Sequence, residues 1–360
     1  MKRTNAIRII CWVMLLLPLA VLGQNLGVEV HGARGFLLPH RQNMMHLPDG
    51  PAHFGELRFF TQTNRDQNWK RVYHQPQIGV SARFFDLANR DILGYGLGIA
   101  AYFSSPVLMT ERFAWHLELG DGPGFISKPF DYDDNYRNIA IGSYGNFFVV
   151  LGQRFTYAMS PRLDLAVATS FNHFSNAAVA LPNLGVNYPM LSVGLSYRPQ
   201  RIFNDTNDYE DFLPQVESCW TVAGNFGVKQ SLRPFDATYP TYSMYGGRQI
   251  GLSQKSSITL GGDIFYNAAL FHYRNELGEA ISALENLQAG LHVAYGLHIG
   301  QAVVSVTMGG YVLDSYKRDG FLYHRAGFRY LINEHWGMNI SLKTHFFKAD
   351  YFELGLAYRI

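Results

Sequence analysis

In "FNHFSNAAVALPNLGVN" (171–187) a histidine and a serine, His173 and Ser175, stand two positions apart. A serine hydroxyl becomes a nucleophile when an adjacent imidazole accepts its proton and a third group orients that imidazole. Two residues apart on one strand face, side chains lie within about 7 Å at Cβ, so His173 can reach the Ser175 hydroxyl. Acyl transfer to Ser175, and from Ser175 to water, is the chemistry open to such a pair. Read as a strand, "LDLAVATSFNHFS" places Leu163, Leu165, Val167, Thr169, Phe171, His173 and Ser175 on one face and Asp164, Ala166, Ala168, Ser170 and Asn172 on the other. The polar pair thus interrupts an apolar face, and polar groups facing lipid are costly enough to point to use. In the next apolar segment, "NYPMLSVGLSYR", Asn187 shares the parity of Pro189, Leu191, Val193, Leu195 and Tyr197. The loop 176–186 returns it to about the height of His173, where it can orient the ring.

The composition says what carries these residues. The opening "MKRTNAIRIICWVMLLLPLAVLG" has basic residues, a short apolar core and a small-residue end, the pattern of a signal peptide over 1–23. Cys11 lies in that core without a lipobox, so the exported chain holds only Cys219, which excludes an internal disulfide framework and cysteine-based metal sites. No later run is long and apolar enough for a helical membrane span. Aromatic residues make up 15%, with 35 glycines, while charged residues reach only 16% against about a quarter in soluble domains. Exported, aromatic, glycine-rich and charge-poor is the composition of an antiparallel β-barrel of a Gram-negative outer membrane. The formal net charge of +2 gives no reason to expect a nucleic-acid partner. The chain closes on "YFELGLAYRI", with Phe352, Leu354, Leu356, Tyr358 and Ile360 on one parity and Glu353, Gly355, Ala357 and Arg359 on the other. That is a barrel wall between lipid and a polar interior, and it resembles the terminal signal read by barrel-assembly machinery.

Alternating segments recur over 25–38, 55–64, 76–87, 92–108, 111–127, 138–151, 152–159, 163–175 and 187–198, with six to eight more between 218 and 360. An even total of about 14–16 strands is expected. "LGQRFTYAMSPRLDLAVATSF" (151–171) aligns without gaps onto "AGFRYLINEHWGMNISLKTHF" (326–346), pairing Gly152 with Gly327, Arg154 with Arg329, Leu163 with Met338 and Phe171 with Phe346. "VGLSYR" (193–198) likewise matches "LGLAYR" (354–359). Two related halves follow, 24–199 and 218–360, joined by a polar linker over 200–217. Closing all edges together favours one large barrel, whereas the long linker favours two tandem eight-stranded barrels. Continuing the gap-free alignment sets Lys348 and Asp350 opposite His173 and Ser175, so the second half holds no copy of the pair and reads as structural.

The turn at Ser160-Pro161-Arg162 fits the short periplasmic type, so the strand climbs outward from Leu163. Twelve steps of ~3.3 Å tilted by ~45° rise about 28 Å, the height of an apolar band, which puts Ser175 near the outer-leaflet boundary. Elsewhere, Ala280, Ile281, Leu284 and Leu287 predict a short helix within 275–288. Asp131, Asp133 and Asp134 could hold a divalent cation, but a solvated acidic loop is the expected reading. His40, His46 and His53 fit no compact metal motif and read as solvated loop histidines. His345 reads as an interfacial side chain, and the glycines of "GYGLGIAAY" (94–102) as strand curvature.

"HFSNAAVALPNLG", followed by an apolar strand that ends a repeat, resembles the signature of the outer-membrane lipid A 3-O-deacylases of the PagL type. The resemblance is specific from about Gly152 to Arg198 and architectural over 24–151. It implies an eight-stranded barrel with a Ser-His-Glu triad on its lipid-facing wall. Carried over by position, it makes Ser175 the nucleophile, His173 the general base and Asn176 an oxyanion-hole contributor. The family's glutamate is replaced by Asn187, which can still accept from an imidazole N–H but brings no negative charge. The implied activity is a serine esterase that removes an ester-linked acyl chain from lipid A in the outer leaflet, without cofactor or metal. The alternative is a non-enzymatic porin or uptake barrel, favoured by the lost acid and the duplicated half.

Overall fold

A strand whose neighbours differ on its two faces alternates in burial with period two, and the chain does so over sixteen strands among the residues described in the computed structural model, 26–64, 66–199, 214–231, 237–279, 281–316, 320–346 and 348–360. The expected signal peptide and most of the expected linker lie outside those residues. The first eight strands are β1 (Gly27–Gly35), β2 (Ala52–Gln62), β3 (Gln77–Asp86), β4 (Tyr95–Met109), β5 (Phe113–Ile126), β6 (Gly145–Ala158), β7 (Leu163–Ser175) and β8 (Val186–Tyr197). The second eight are β9 (Cys219–Gln230), β10 (Thr238–Gly251), β11 (Ser256–Asn267), β12 (Leu287–Ile299), β13 (Ala302–Leu313), β14 (Leu322–Leu331), β15 (Trp336–His345) and β16 (Lys348–Arg359).

Each set closes into its own antiparallel barrel. β1 pairs with β8 from Val28↔Tyr197 to Gly35↔Met190, and β16 pairs with β9 from Phe352↔Val228 to Arg359↔Thr221. The single large barrel is therefore corrected to the tandem arrangement. Each half ends in a strand able to pair with its own first strand, which removes every edge, and eight strands enclose a space that side chains can fill. The segments 138–151 and 152–159 are one strand, β6. The repeat keeps its place in both barrels: 151–171 runs along β6 and β7, 326–346 along β14 and β15, and the shorter match along β8 and β16.

Beyond that stretch the gap-free alignment fails. β15 ends at His345, so Lys348 and Asp350 belong to β16 and are not counterparts of His173 and Ser175. Asp350 is buried in the second lumen, where it accepts from Lys343 at 2.7 Å and from Lys229. His345 is buried as well, its Nε2 lying 2.8 Å from the Tyr311 hydroxyl, so it is a lumen residue rather than an interfacial one. The helix expected within 275–288 lies earlier, at Ala268–Glu276, capped by the Asn267 side chain, which accepts from Leu270 N at 3.1 Å. Gly278, at φ +80°, ends it in the left-handed conformation that glycine adopts without steric cost. The apolar spacing that continued past this point is instead a turn held by Ser282 and Glu285, followed by β12.

The first lumen is filled in two layers. Toward the loops 36–51, 87–94, 127–144 and 176–185, Phe85, Phe148, Phe174 and Tyr188 pack together, with Phe148 and Phe174 4.6 Å apart. Gly98 makes room for them, since a Cβ there would lie 2.4 Å from the Phe148 ring. Below, Arg58 bonds Glu118 at 2.9 Å, Arg154 bonds Glu118 at 2.9 Å and Glu29 at 3.2 Å, and Arg83 bonds Glu56 at 2.8 Å. The outward faces are apolar: Leu57, Leu117, Leu151, Leu191 and Leu195 are exposed on the first barrel, and Val222, Leu260, Leu291, Val306 and Leu354 on the second. Such a band suits a hydrocarbon solvent and not water.

Candidate active site

β7 and β8 pair with His173 directly opposite Asn187. Cross-strand partners share a face, and this face is outward, because the residues flanking His173, Asn172 and Phe174, are wholly buried in the lumen. The His173 Nδ1 lies 2.6 Å from Asn187 Oδ1. A carbonyl oxygen only accepts, so Nδ1 carries the proton and Nε2 keeps the lone pair that a general base needs. Asn187 has a second partner: its Nδ2 donates to His40 Nδ1 at 3.0 Å.

His40 reaches this point because residues 36–38 extend β1 along β8, with Phe36 N–H bonded to Pro189 O at 3.4 Å and Leu38 N–H to Asn187 O at 2.9 Å. His40 is the exposed loop histidine expected, but its ring is engaged by Asn187. His46 is also engaged, its ring nitrogens lying 2.9 Å from Asn43 O and 2.8 Å from Arg137 O, which ties loop 36–51 to loop 127–144. His53 stands exposed on β2. The three histidines therefore do separate things.

Ser175 has the same outward parity as His173 and is the last residue of β7, opposite Phe147 of β6 and only 7% exposed. Asn176 follows, also buried, its Nδ2 donating to Ser143 Oγ at 2.9 Å. Next come Ala177 and Ala178, at φ 54° and 62°. Two successive non-glycine residues in the left-handed region cost about 1–2 kcal/mol each, and such strain concentrates at functional sites. Gly185, at φ 76°, closes the loop. A Cβ there would lie 2.7 Å from His173 Cε1 and 3.4 Å from Nε2, so the ring edge rests on bare backbone. The sequence marks His40 only as a loop histidine and does not mark Gly185 at all. Only its place two residues before Asn187 could have pointed to Gly185, whereas the approach of His40 depends on pairing between distant segments.

Immediately below the His173–Asn187 row runs a groove on the same outward face. Its next row is Leu151, Phe171, Pro189 and Phe36, and the one after is Gln153, Thr169, Leu191 and Arg34. Rows on one face are about 6.6 Å apart, so the groove runs toward mid-membrane from the histidine. Away from this face, Asp131 accepts from the N–H groups of Asp133 and Asp134, at 2.9 and 3.1 Å, which hold its carboxyl below the ordinary range. Among the described residues no three His, Cys, Asp or Glu side chains are grouped to hold a metal. In the second barrel Ser257 Oγ lies 2.8 Å from His298 Nε2, with Ser257 lining the lumen.

Comparison with known proteins gives two family matches. Residues 54–196 match the family described as lipid A 3-O-deacylase (PagL), and residues 218–360 match the acyloxyacyl hydrolase C-terminal domain. Among solved structures, the outer membrane enzyme PagL is 19% identical over 46% of this chain and 97% of that one, with a TM-score of 0.32. A triple mutant of the Rh. blastica porin is 11% identical over 93% of this chain and 100% of that one, with a TM-score of 0.21. No curated protein matches the sequence.

Proposed function

We propose, for a chain that belongs to the lipid A 3-O-deacylase (PagL) family and carries the acyloxyacyl hydrolase C-terminal domain, that it is a serine esterase of the Gram-negative outer membrane cutting an ester-linked acyl chain from lipid A. The observation that carries this reading is the His173 Nδ1–Asn187 Oδ1 contact on the outward wall, two residues before Ser175. It supports Nε2 as the base and a reaction on the wall that an outer-leaflet lipid would meet.

In this mechanism His173 Nε2 takes the Ser175 hydroxyl proton as Oγ attacks the ester carbonyl carbon. The resulting oxyanion is met by N–H groups of Asn176, at the left-handed turn that follows. Collapse breaks the bond to the sugar oxygen, which leaves with the proton held by His173. The acyl group remains on Ser175 until water, deprotonated by the same nitrogen, attacks it and releases a fatty acid. The groove below the site, apolar through Phe36, Leu117, Leu151, Phe171 and Leu191, suits the acyl tail. Residues 1–23 would direct export and the final strand would engage barrel-assembly machinery, while the second barrel would serve a structural role.

Asn187 limits the rate in this scheme, because a carboxamide orients the imidazole but does not offset the charge of the imidazolium. The pore reading is disfavoured, since the first lumen is filled by the buried aromatic layer and the Glu29, Glu118, Arg58 and Arg154 ion pairs, and the second by Phe265, Tyr311, Tyr323 and the pairs of Arg325 with Asp263 and Glu353. Purified lipopolysaccharide in detergent should release fatty acid with wild type and not with Ser175→Ala. Equal release from both would refute the esterase assignment.

A further inference from the structure

We infer that His40 is a positioning residue that fixes the orientation of Asn187 and, through it, the tautomer of His173. The inference rests on the esterase reading for its consequence in catalysis, but its geometry stands alone. A carboxylate facing an imidazole N–H accepts with either oxygen and needs no orienting partner. A carboxamide has one accepting end and one donating end, and a half-turn about its last side-chain torsion exchanges them. Whichever end faces His173 Nδ1 decides where that ring holds its proton.

The amide orientation in the structure goes with a His40 whose proton is on Nε2, leaving Nδ1 as the acceptor; a His40 protonated on Nδ1 would favour the reversed amide. His40 Nδ1 accepts from Asn187 Nδ2 at 3.0 Å, which turns Oδ1 toward His173 Nδ1 at 2.6 Å. His173 then carries its proton on Nδ1 and presents a bare Nε2. With the amide reversed, the NH2 group would face Nδ1, which would have to give up its proton to Nε2, and the base would be lost. His40 is held in place by the extension of β1, where Leu38 N–H bonds the backbone oxygen of Asn187 itself. The residue that needs orienting and the residue that orients it are thus joined by main chain as well as by side chain.

Two measurements test this. In protein carrying 15N-histidine in detergent micelles, the His173 signals, assigned by their loss in His173→Gln, should report the Nδ1–H tautomer in wild type. They should shift toward the Nε2–H form in His40→Phe and remain in His40→Glu, whose carboxylate can only accept from the Asn187 NH2 group. In fatty-acid release, His40→Phe should lower kcat roughly 10- to 100-fold with KM little changed, the scale of a misplaced general base. The same change made in an Asn187→Glu background should cost nothing, since a carboxylate needs no orienting. An unchanged His173 tautomer in His40→Phe, or an equal loss in both backgrounds, would overturn the inference. If no Ser175-dependent release occurs at all, the esterase reading falls, and the tautomer measurement still decides the role of His40.

Discussion

At Asn187 a carboxamide stands against a histidine that the esterase mechanism needs as a base, and the consequences follow from what that side chain can and cannot do. It can accept the Nδ1 proton, and it does so at 2.6 Å; it cannot supply charge. Asn187→Glu should therefore raise kcat about tenfold or more, by stabilising the imidazolium formed in the transition state. Steady-state fatty-acid release checks this, and no gain would mean that Asn187 is not the orienting group. Gly185 allows a second test. Gly185→Ala would put a methyl group 2.7 Å from His173 Cε1 on a backbone at φ 76°. It should displace the ring and cut kcat at least about tenfold while costing roughly 1–2 kcal/mol of stability. His173, Ser175 and Asn187 were legible in the sequence because outward and inward parity on a strand is a local property. His40 was not, because the bond that brings it in depends on how far β1 continues along a strand some 150 positions later.

The strands are what make those parities count. Alternation alone gave nine segments in the first half, which cover its eight strands once the two over β6 are joined, and the turn at Ser160 set the direction of β7: Ser160 N–H bonds Leu163 O at 3.0 Å, and its hydroxyl accepts from Leu163 N–H at 3.1 Å. Which strand closes on which was not legible, since the β1–β8 and β9–β16 pairings join segments with no local mark of partnership. The inward face explains why the wall can hold its shape under a costly outward site. Glu118 bonds both Arg58 and Arg154, and with Glu29 it balances their two charges in a buried cluster, and removing one partner of a buried pair strands the others. Glu118→Ala should cost about 3–5 kcal/mol, read as a lower midpoint of urea unfolding in detergent. A change under about 1 kcal/mol would mean that the network is solvated.

On the scale of the whole chain, duplication has kept the barrel and not the site. The strands that carry His173 and Asn187 have counterparts in β15 and β16, yet β15 stops at His345 and its neighbours Lys343 and Asp350 turn inward to a buried ion pair. The serine–histidine contacts Ser104 with His116 and Ser257 with His298 belong to buried or lumen-lining serines that an outer-leaflet lipid does not reach. Ser257→Ala should leave fatty-acid release unchanged, and the purified protein should show no steady conductance in planar bilayers because both lumens are filled, the second by Phe265, Tyr311 and Tyr323 and by Arg325 paired with Asp263 and Glu353. The mass of lipid A from lipopolysaccharide-making cells that express either the wild type or Ser175→Ala decides whether this barrel is a deacylase. Wild type should remove one ester-linked acyl chain and the variant should leave lipid A intact; lipid A of the same mass in both would rule the deacylase out.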